Sequence, residues 1–224
     1  MTNSLTGMPF RDTKDESIIA YFSEGKLLHY KRDELIINGL YEPQGVYLIK
    51  EGYIKAYSVS RSGQMKILII HEADELIPLP WALNGTYKTG LSYAAMNEVT
   101  ILLASKDKLR TTMGNNSWLS QEVLKQAVNA IAIYTQRIQT LEFRSARERV
   151  IVEILHLAER FGEKYKKEVL INIPITHQYL ADSINMSRET ASRVLELLFK
   201  EGLMSQNEHL FTILDLRKLQ LALS

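Results

Sequence analysis

Arg188, Glu189 and Arg193 are the residues of this 224-residue chain whose types and spacing best suit a definite chemistry. A guanidinium fork donates two parallel hydrogen bonds to O6 and N7 of guanine, and a carboxylate accepts from the amino group of cytosine. Two arginines and a glutamate on one helical face would therefore suit the edges of base pairs. The face follows from the neighbours: Val194, Leu195 and Leu198 repeat at helical spacing and predict a buried stripe, which leaves Arg188, Glu189 and Arg193 on the exposed N-terminal side. Ser187 is placed to cap that helix and Thr176 to cap a shorter one before it, because a side-chain oxygen there accepts an orphan backbone N–H. Leu180, Ala181 and Ile184 are the expected buried residues of the shorter helix. Asn185 suits the corner, since asparagine tolerates the left-handed backbone of a sharp helix–helix turn. Such a pair of helices can lay the N-terminal turns of the second in the major groove of DNA. On spacing alone, a solvated helical hairpin with surface charges fits the same residues equally well.

The letters tip the balance. The stretch Thr176–Gly202, with Ser187-Arg188-Glu189-Thr190 followed by Arg193, resembles the helix-turn-helix of the cyclic-AMP receptor protein/Fnr (Crp/Fnr) family of bacterial transcription regulators. The resemblance implies base reading by Arg188, Glu189 and Arg193, and contacts to DNA phosphates by Thr176, His177, Gln178, Ser187 and Thr190. Phosphate contacts set register and carry no sequence information. For Thr176 and Ser187, capping alone explains the residue equally well. His177 stands where the best-known relative has Arg, and Glu196 where it has Lys, so phosphate attraction is expected to be weaker here. The resemblance further implies a homodimer on double-stranded DNA, an inverted repeat with TGTGA-like half-sites, and a contact to RNA polymerase from the loop Gly162–Glu168. In that loop Lys164, Tyr165, Lys166 and Lys167 read more readily as ordinary surface charge than as a contact.

The elements that must hold this stretch come in three textures. From Gly25 to about Ser105, short runs such as Val46–Ile49, Ile54–Val59, Lys66–Ile70 and Thr100–Leu103 predict strands. Asn38-Gly39, Glu51-Gly52, Ser62-Gly63 and Asn84-Gly85 predict the turns between them. Many short strands with regular turns suggest a closed or sandwiched antiparallel structure. The segments 45–52, 54–57 and 63–64 also resemble the family's sensory β-roll. From Asn116 to Phe143 the period is helical, and Leu124, Val128, Ile131, Thr135 and Ile138 step by 4, 3, 4 and 3, a coiled-coil seam of about two heptads. Val123, Ala127, Ala130 and Tyr134 supply a second face for packing on the β-domain. Ser145-Ala146-Arg147-Glu148 is a capping-box pattern, so a new helix starts directly after the long one and the hinge falls at Phe143–Ser145. That helix runs to Arg160, an exposed charged loop covers Glu163–Glu168, and Leu170–Ile173 form a strand. Leu203–Gln206 and Leu210–Ile213 form a hairpin, the wing, and Asp215–Leu223 a last short helix. The expected architecture is α+β: a β-roll sensor domain at 1–115, a dimerisation helix at 116–143 and a winged helix-turn-helix DNA-binding domain at 144–224.

Composition removes several alternatives. With 46% hydrophobic residues, the chain has ample material for real cores. The net charge is +1, and residues 144–224 carry 12 Lys/Arg against 11 Asp/Glu, so a basic surface must come from distribution. Cysteine is absent, which leaves no thiolate for an iron–sulfur cluster or a zinc site. The five histidines, His29, His71, His156, His177 and His209, are scattered, with no pair at metal-ligand spacing. With no phosphate loop, nucleophile elbow or dinucleotide fingerprint either, neither an enzyme nor a metal site is expected. No apolar run approaches a membrane span and the N-terminus lacks a signal-peptide core, so a cytoplasmic protein is expected. The remaining rival is a nucleotide- or metabolite-sensing interaction module that does not act on DNA.

The resemblance also implies an effector pocket in the β-roll, and here the sequence departs from its relatives. Those that bind cyclic AMP use a Gly-Glu pair for the ribose and an Arg-Ser pair for the phosphate. The matching positions fall on Ile77-Pro78-Leu79 and on Thr89-Gly90. No acid occurs between Glu75 and Glu98, and Lys88 is the one Lys or Arg from Ile67 to Ser105. A buried phosphate needs such donors. The expected lining is Pro78, Pro80, Trp81, Tyr87, Lys88, Thr89, Tyr93, Tyr134 and Thr135, which could equally just fill the barrel. No cyclic AMP in the family's usual mode is expected; the effector is another ligand or none.

Overall fold

The computed structural model describes residues 24–84 and 90–223, together with Ile18 and Phe22. Residues 1–17, whose polar sequence predicts a lead-in, most of Ser17–Phe22, which predicts a short helix, and Gly85, Tyr87, Lys88 and Thr89 lie outside the described residues.

Eight strands build the N-terminal part: β1 Lys26–Tyr30, β2 Leu35–Ile37, β3 Val46–Glu51, β4 Ile54–Val59, β5 Met65–His71, β6 Leu76–Ile77, β7 Ser92–Ala95 and β8 Val99–Ala104. They form two antiparallel sheets, ordered β1-β8-β3-β6 and β2-β7-β4-β5. Side chains alternate across a strand, so one face of each sheet is apolar. Tyr47, Ile49 and Ile101 from the first sheet meet Ile54, Ala56, Ile69 and Tyr93 from the second in one buried cluster. Between β3 and β4 the chain turns at Gly52, with φ +89°, where an added Cβ would lie 2.3 Å from the Glu98 carbonyl oxygen. Only glycine fits there.

Two short helices escape the sequence reading: α1 Leu79–Asn84 and α2 Lys106–Asn115. The second is capped by Ser105 and buries Leu109 alone, so it shows no apolar period. The long helix α3, Ser117–Phe143, starts at Asn116, whose side chain accepts from the Leu119 N–H. Its inner face works as expected. Leu119 and Val123 are buried against Trp81, Leu76 and Leu109, and further along Ile133 and Tyr134 pack on the core between the sheets. Leu124, Val128, Thr135, Ile131 and Ile138 lie on the opposite, exposed side.

Helix α4, Ala146–Phe161, opens with a complete capping box, with Ser145 and Glu148 each bonding the other's backbone N–H. Then come β9 Gly162–Tyr165, β10 Glu168–Ile171, α5 His177–Ser183, α6 Arg188–Lys200, β11 Met204–Asn207, β12 Leu210–Ile213 and α7 Leu216–Leu221. The expected loop at Glu163–Glu168 is therefore largely strand. Residues 162–165 pair with 168–171, and Lys166, with φ +57°, makes the tight turn. Its side chains are mostly charged and solvent-facing, so the pairing leaves no apolar alternation to read. The last sheet runs β11-β12-β10-β9.

One apolar cluster gathers Val150, Ile154, Leu180, Leu195, Leu198 and Phe211 and continues into Ile67, Ile70 and Met96 of the β-domain. Polar groups reinforce this junction. Arg160 donates to the Ile70 carbonyl at 2.7 Å and to Glu75 Oε1 at 2.8 Å, while Glu75 Oε2 meets His71 Nδ1 at 2.6 Å. Burial alone would raise the Glu75 carboxyl, but His71 and Arg160 together hold it below the usual range.

Candidate nucleic-acid interface

The helix-turn-helix is built from local bonds. Thr176 Oγ1 accepts from the Tyr179 N–H at 3.0 Å and caps α5. The chain reverses through Asn185, φ +54°, and the Met186 N–H closes on the Ala181 carbonyl at 3.1 Å. Ser187 Oγ accepts from the Thr190 N–H at 3.1 Å and caps α6, with its oxygen 3.0 Å from Thr190 Oγ1. Leu180, Ala181 and Ile184 are buried, as are Ala191, Val194, Leu195 and Leu198. Burying that stripe fixes the rotation of α6 about its axis, and Arg188, Glu189 and Arg193 point to solvent.

Among the described residues neither Arg188 nor Arg193 enters a salt bridge. Both forks are free to engage a ligand. The carboxyl of Glu189 is held below its ordinary range by its own backbone N–H and by the Ser187 hydroxyl, with Arg188 adding to the effect. It stays an anion, able only to accept. Gln178 is exposed and donates to Asp182 Oδ1 at 2.9 Å.

His177 is engaged inside the domain: Nδ1 lies 2.8 Å from Ser192 Oγ on α6, and Nε2 lies 3.0 Å from Gln206 Oε1 on β11. The ring also stacks on Phe211, with centroids 6.2 Å apart. Sequence reasoning missed Ser192 and Gln206, which are 15 and 29 residues away and carry no local signal of the pairing.

Among the described residues, those of the expected effector lining are not gathered into one pocket. Trp81 is buried with Phe22, Val46 and Leu48, and Lys106 Nζ sits 4.1 Å from its ring centroid. Tyr134 belongs to the other cluster, with Tyr93 and Ile69. Pro78 is buried, Pro80 is exposed, and Thr135 is exposed on α3 with its hydroxyl donating to the Ile131 carbonyl. The two sheets and the inner face of α3 divide these aromatics between separate cores. An open crevice of about 480 Å³ instead runs from Tyr134, Arg137 and Leu141 past Lys66 to Asp182 and Asn185.

The hinge residues lie where α3 ends at Phe143 and Ser145 caps α4. Arg149 spans the break, donating to the Leu141 and Arg144 carbonyls at 2.9 Å each. Among the described residues no three His, Asp or Glu side chains converge on a metal-sized site, and no helix is long and apolar enough to cross a membrane.

Residues 148–222 match the model of the Crp-like helix-turn-helix domain. The anaerobic regulatory protein of Bacillus subtilis is 24% identical over 167 residues, which cover 75% of this chain and 70% of that protein. Among solved structures, FixK2 from Bradyrhizobium japonicum superposes with a TM-score of 0.75 at 18% identity, covering 88% of this chain and 96% of its own. A CooA mutant from Carboxydothermus hydrogenoformans gives 0.78 at 20% identity, covering 92% and 90%. At these identities the structural likeness is one of fold.

Proposed function

Since the chain belongs to the Crp/Fnr family of DNA-binding transcription regulators, we propose that it acts as a homodimer on an inverted repeat with TGTGA-like half-sites. Residues 144–224 form the DNA-binding domain, 116–143 the dimerisation helix and 1–115 the sensor. The observation that carries this reading is the face of α6. Arg188, Glu189 and Arg193 stand exposed on a helix whose rotation is set by its buried stripe, and among the described residues neither arginine is spent on a salt bridge. Arg188 and Arg193 read guanines, and Glu189 accepts from cytosine.

Thr176, Gln178, Ser187 and Thr190 hold the flanking phosphates. The Thr176 hydroxyl that accepts a cap bond still has its own proton to donate, and the Ser187 proton, drawn to Glu189 in the free chain, can turn to a phosphate instead. The exposed stripe Leu124, Val128, Ile131, Thr135 and Ile138 pairs with its twin. Two recognition helices then enter successive major grooves about 34 Å apart. The β9–β10 hairpin, with Lys164, Tyr165, Lys166 and Lys167 exposed, is the surface offered to RNA polymerase.

The effector is not cyclic AMP bound in the usual mode. The positions that would meet its ribose are Ile77-Pro78-Leu79, with Pro78 buried and no carboxylate among them. An iron–sulfur cluster does not fit a chain without cysteine. The test is selection of bound duplexes from a random pool, with and without a metabolite extract. A palindrome should emerge, and enrichment without any repeated half-site would overturn the dimeric reading.

A further inference from the structure

We propose that His177 meets no phosphate and instead positions the wing, the β11–β12 hairpin, on the recognition helix α6. The inference rests on the DNA-reading role given above.

The direction of each hydrogen bond follows from one group. The Glu208 carbonyl can only accept, so the Gln206 side chain turns its Nε2 toward it, at 2.8 Å. Gln206 Oε1 then faces His177 Nε2 at 3.0 Å, which must carry the ring proton. The bare Nδ1 accepts from the Ser192 hydroxyl at 2.8 Å. Three bonds thus run in one sense, from α6 through the ring to β11 and on to the turn at Glu208, where φ is +53°. The ring is also clamped by stacking. It lies on Phe211 of β12, tilted by 24°, and Phe211 lies on Phe199 of α6 at the same tilt. Both polar atoms and one face of His177 are used inside the domain.

The geometry has a functional consequence. Ser192 precedes Arg193, so the wing is referenced to the base-reading face itself. The exposed tip Asn207–His209 is carried as one body with α6, and a backbone contact made by the wing is added without a separate cost of ordering the hairpin.

The test uses the full chain, the variants His177→Phe and Gln206→Ala, and their double. Phenylalanine keeps the ring and its stack but removes both hydrogen bonds. In the DNA-free protein, amide exchange across residues 204–213 should quicken in both single variants. Affinity for the selected duplex should fall roughly tenfold in each, the loss of one or two ordinary hydrogen bonds. The double variant should be no weaker than the weaker single, because the bonds form one chain. The slope of log affinity against log salt should not change. A slope shallower by about 0.9 in His177→Phe would make the residue a phosphate contact after all. Additive losses, or wing amides that exchange as in the wild type, would equally overturn the proposal. A wild-type chain that selected no duplex would refute the DNA-reading role, and amide exchange would still decide the place of His177.

Discussion

Replacing Ile131 by aspartate should turn the dimer into monomers without unfolding the protomer. In the single chain Leu124 is 62% exposed, Val128 55%, Ile131 63% and Ile138 63%, so this stripe takes little part in the chain's own core. Fully burying such a side chain contributes about 1.5–3 kcal/mol, and the exposed fraction here leaves about 1–2 kcal/mol for each to gain on pairing. Eight side chains across a two-fold axis supply about 8–16 kcal/mol, against an association cost of about 4–15 kcal/mol. The two ranges overlap, so pairing along this stripe is close to balanced and sensitive to the loss of a single residue. Ile131→Asp removes about 2–4 kcal/mol of apolar burial from the pair and sets two carboxylates face to face, whose desolvation costs several kcal/mol more. A total of about 5 kcal/mol or more weakens dimerisation by at least about three decades. Sedimentation across a concentration series measures this directly. Thermal melting followed by circular dichroism should show the protomer intact, since the site is open to water. A variant that stayed dimeric at wild-type concentrations would remove α3 from the interface.

Arg188→Ala should cost about 1–3 kcal/mol in binding and relax the preference at one guanine per half-site; equal weakening on all duplexes would make Arg188 a phosphate contact. Calorimetric titration with cyclic AMP should show no micromolar binding, and binding that vanished in Lys88→Ala would show that Lys88 serves the phosphate. Glu148 gives a pH signature. Its carboxyl is drawn from 4.5 down to about 2 by the Ser145 side chain and backbone N–H, with Arg144 assisting. A folded-state value below the unfolded one means that its stabilisation is complete above the ordinary carboxylate range and is lost as pH falls toward about 2. Wild-type melts should thus lose ground to Glu148→Gln as the pH is lowered through that window, and parallel curves would show that the carboxylate charge adds nothing to the capping box.

The parts of this protein that were legible in its sequence are held by near neighbours. Thr176, Ser187 and Ser145 cap helices through bonds to N–H groups three residues on, and Asn185 sits in the left-handed turn its type suits. The stripes of α5 and α6 repeat every three or four residues, and strand β4 falls on Ile54–Val59 as read. That Leu124, Val128, Ile131 and Ile138 share one side of α3 was likewise visible, because a helix turns positions at 4-3-4-3 spacing to one side whatever surrounds it. Where short-range rules fail, the elements have little apolar signal of their own. Helix α2 buries only Leu109, and β9 presents charges to water.

Which distant group a side chain meets was decided by tertiary structure. His177, typed as a phosphate ligand by its position, is engaged by Ser192 and Gln206 because packing brings α6 and β11 beside the start of α5. Trp81 and Tyr134, both apt for one aromatic pocket, are drawn into separate cores by the two sheets and the inner face of α3. Arg160 reaches Glu75, 85 residues away, because the apolar cluster carries α4 onto the edge of the β-domain. Caps and periodic faces depend on backbone geometry within a turn or two, which the residue types encode. A buried polar side chain takes whatever partner the packed elements bring within about 3 Å, and that choice exists only once the chain has closed on itself.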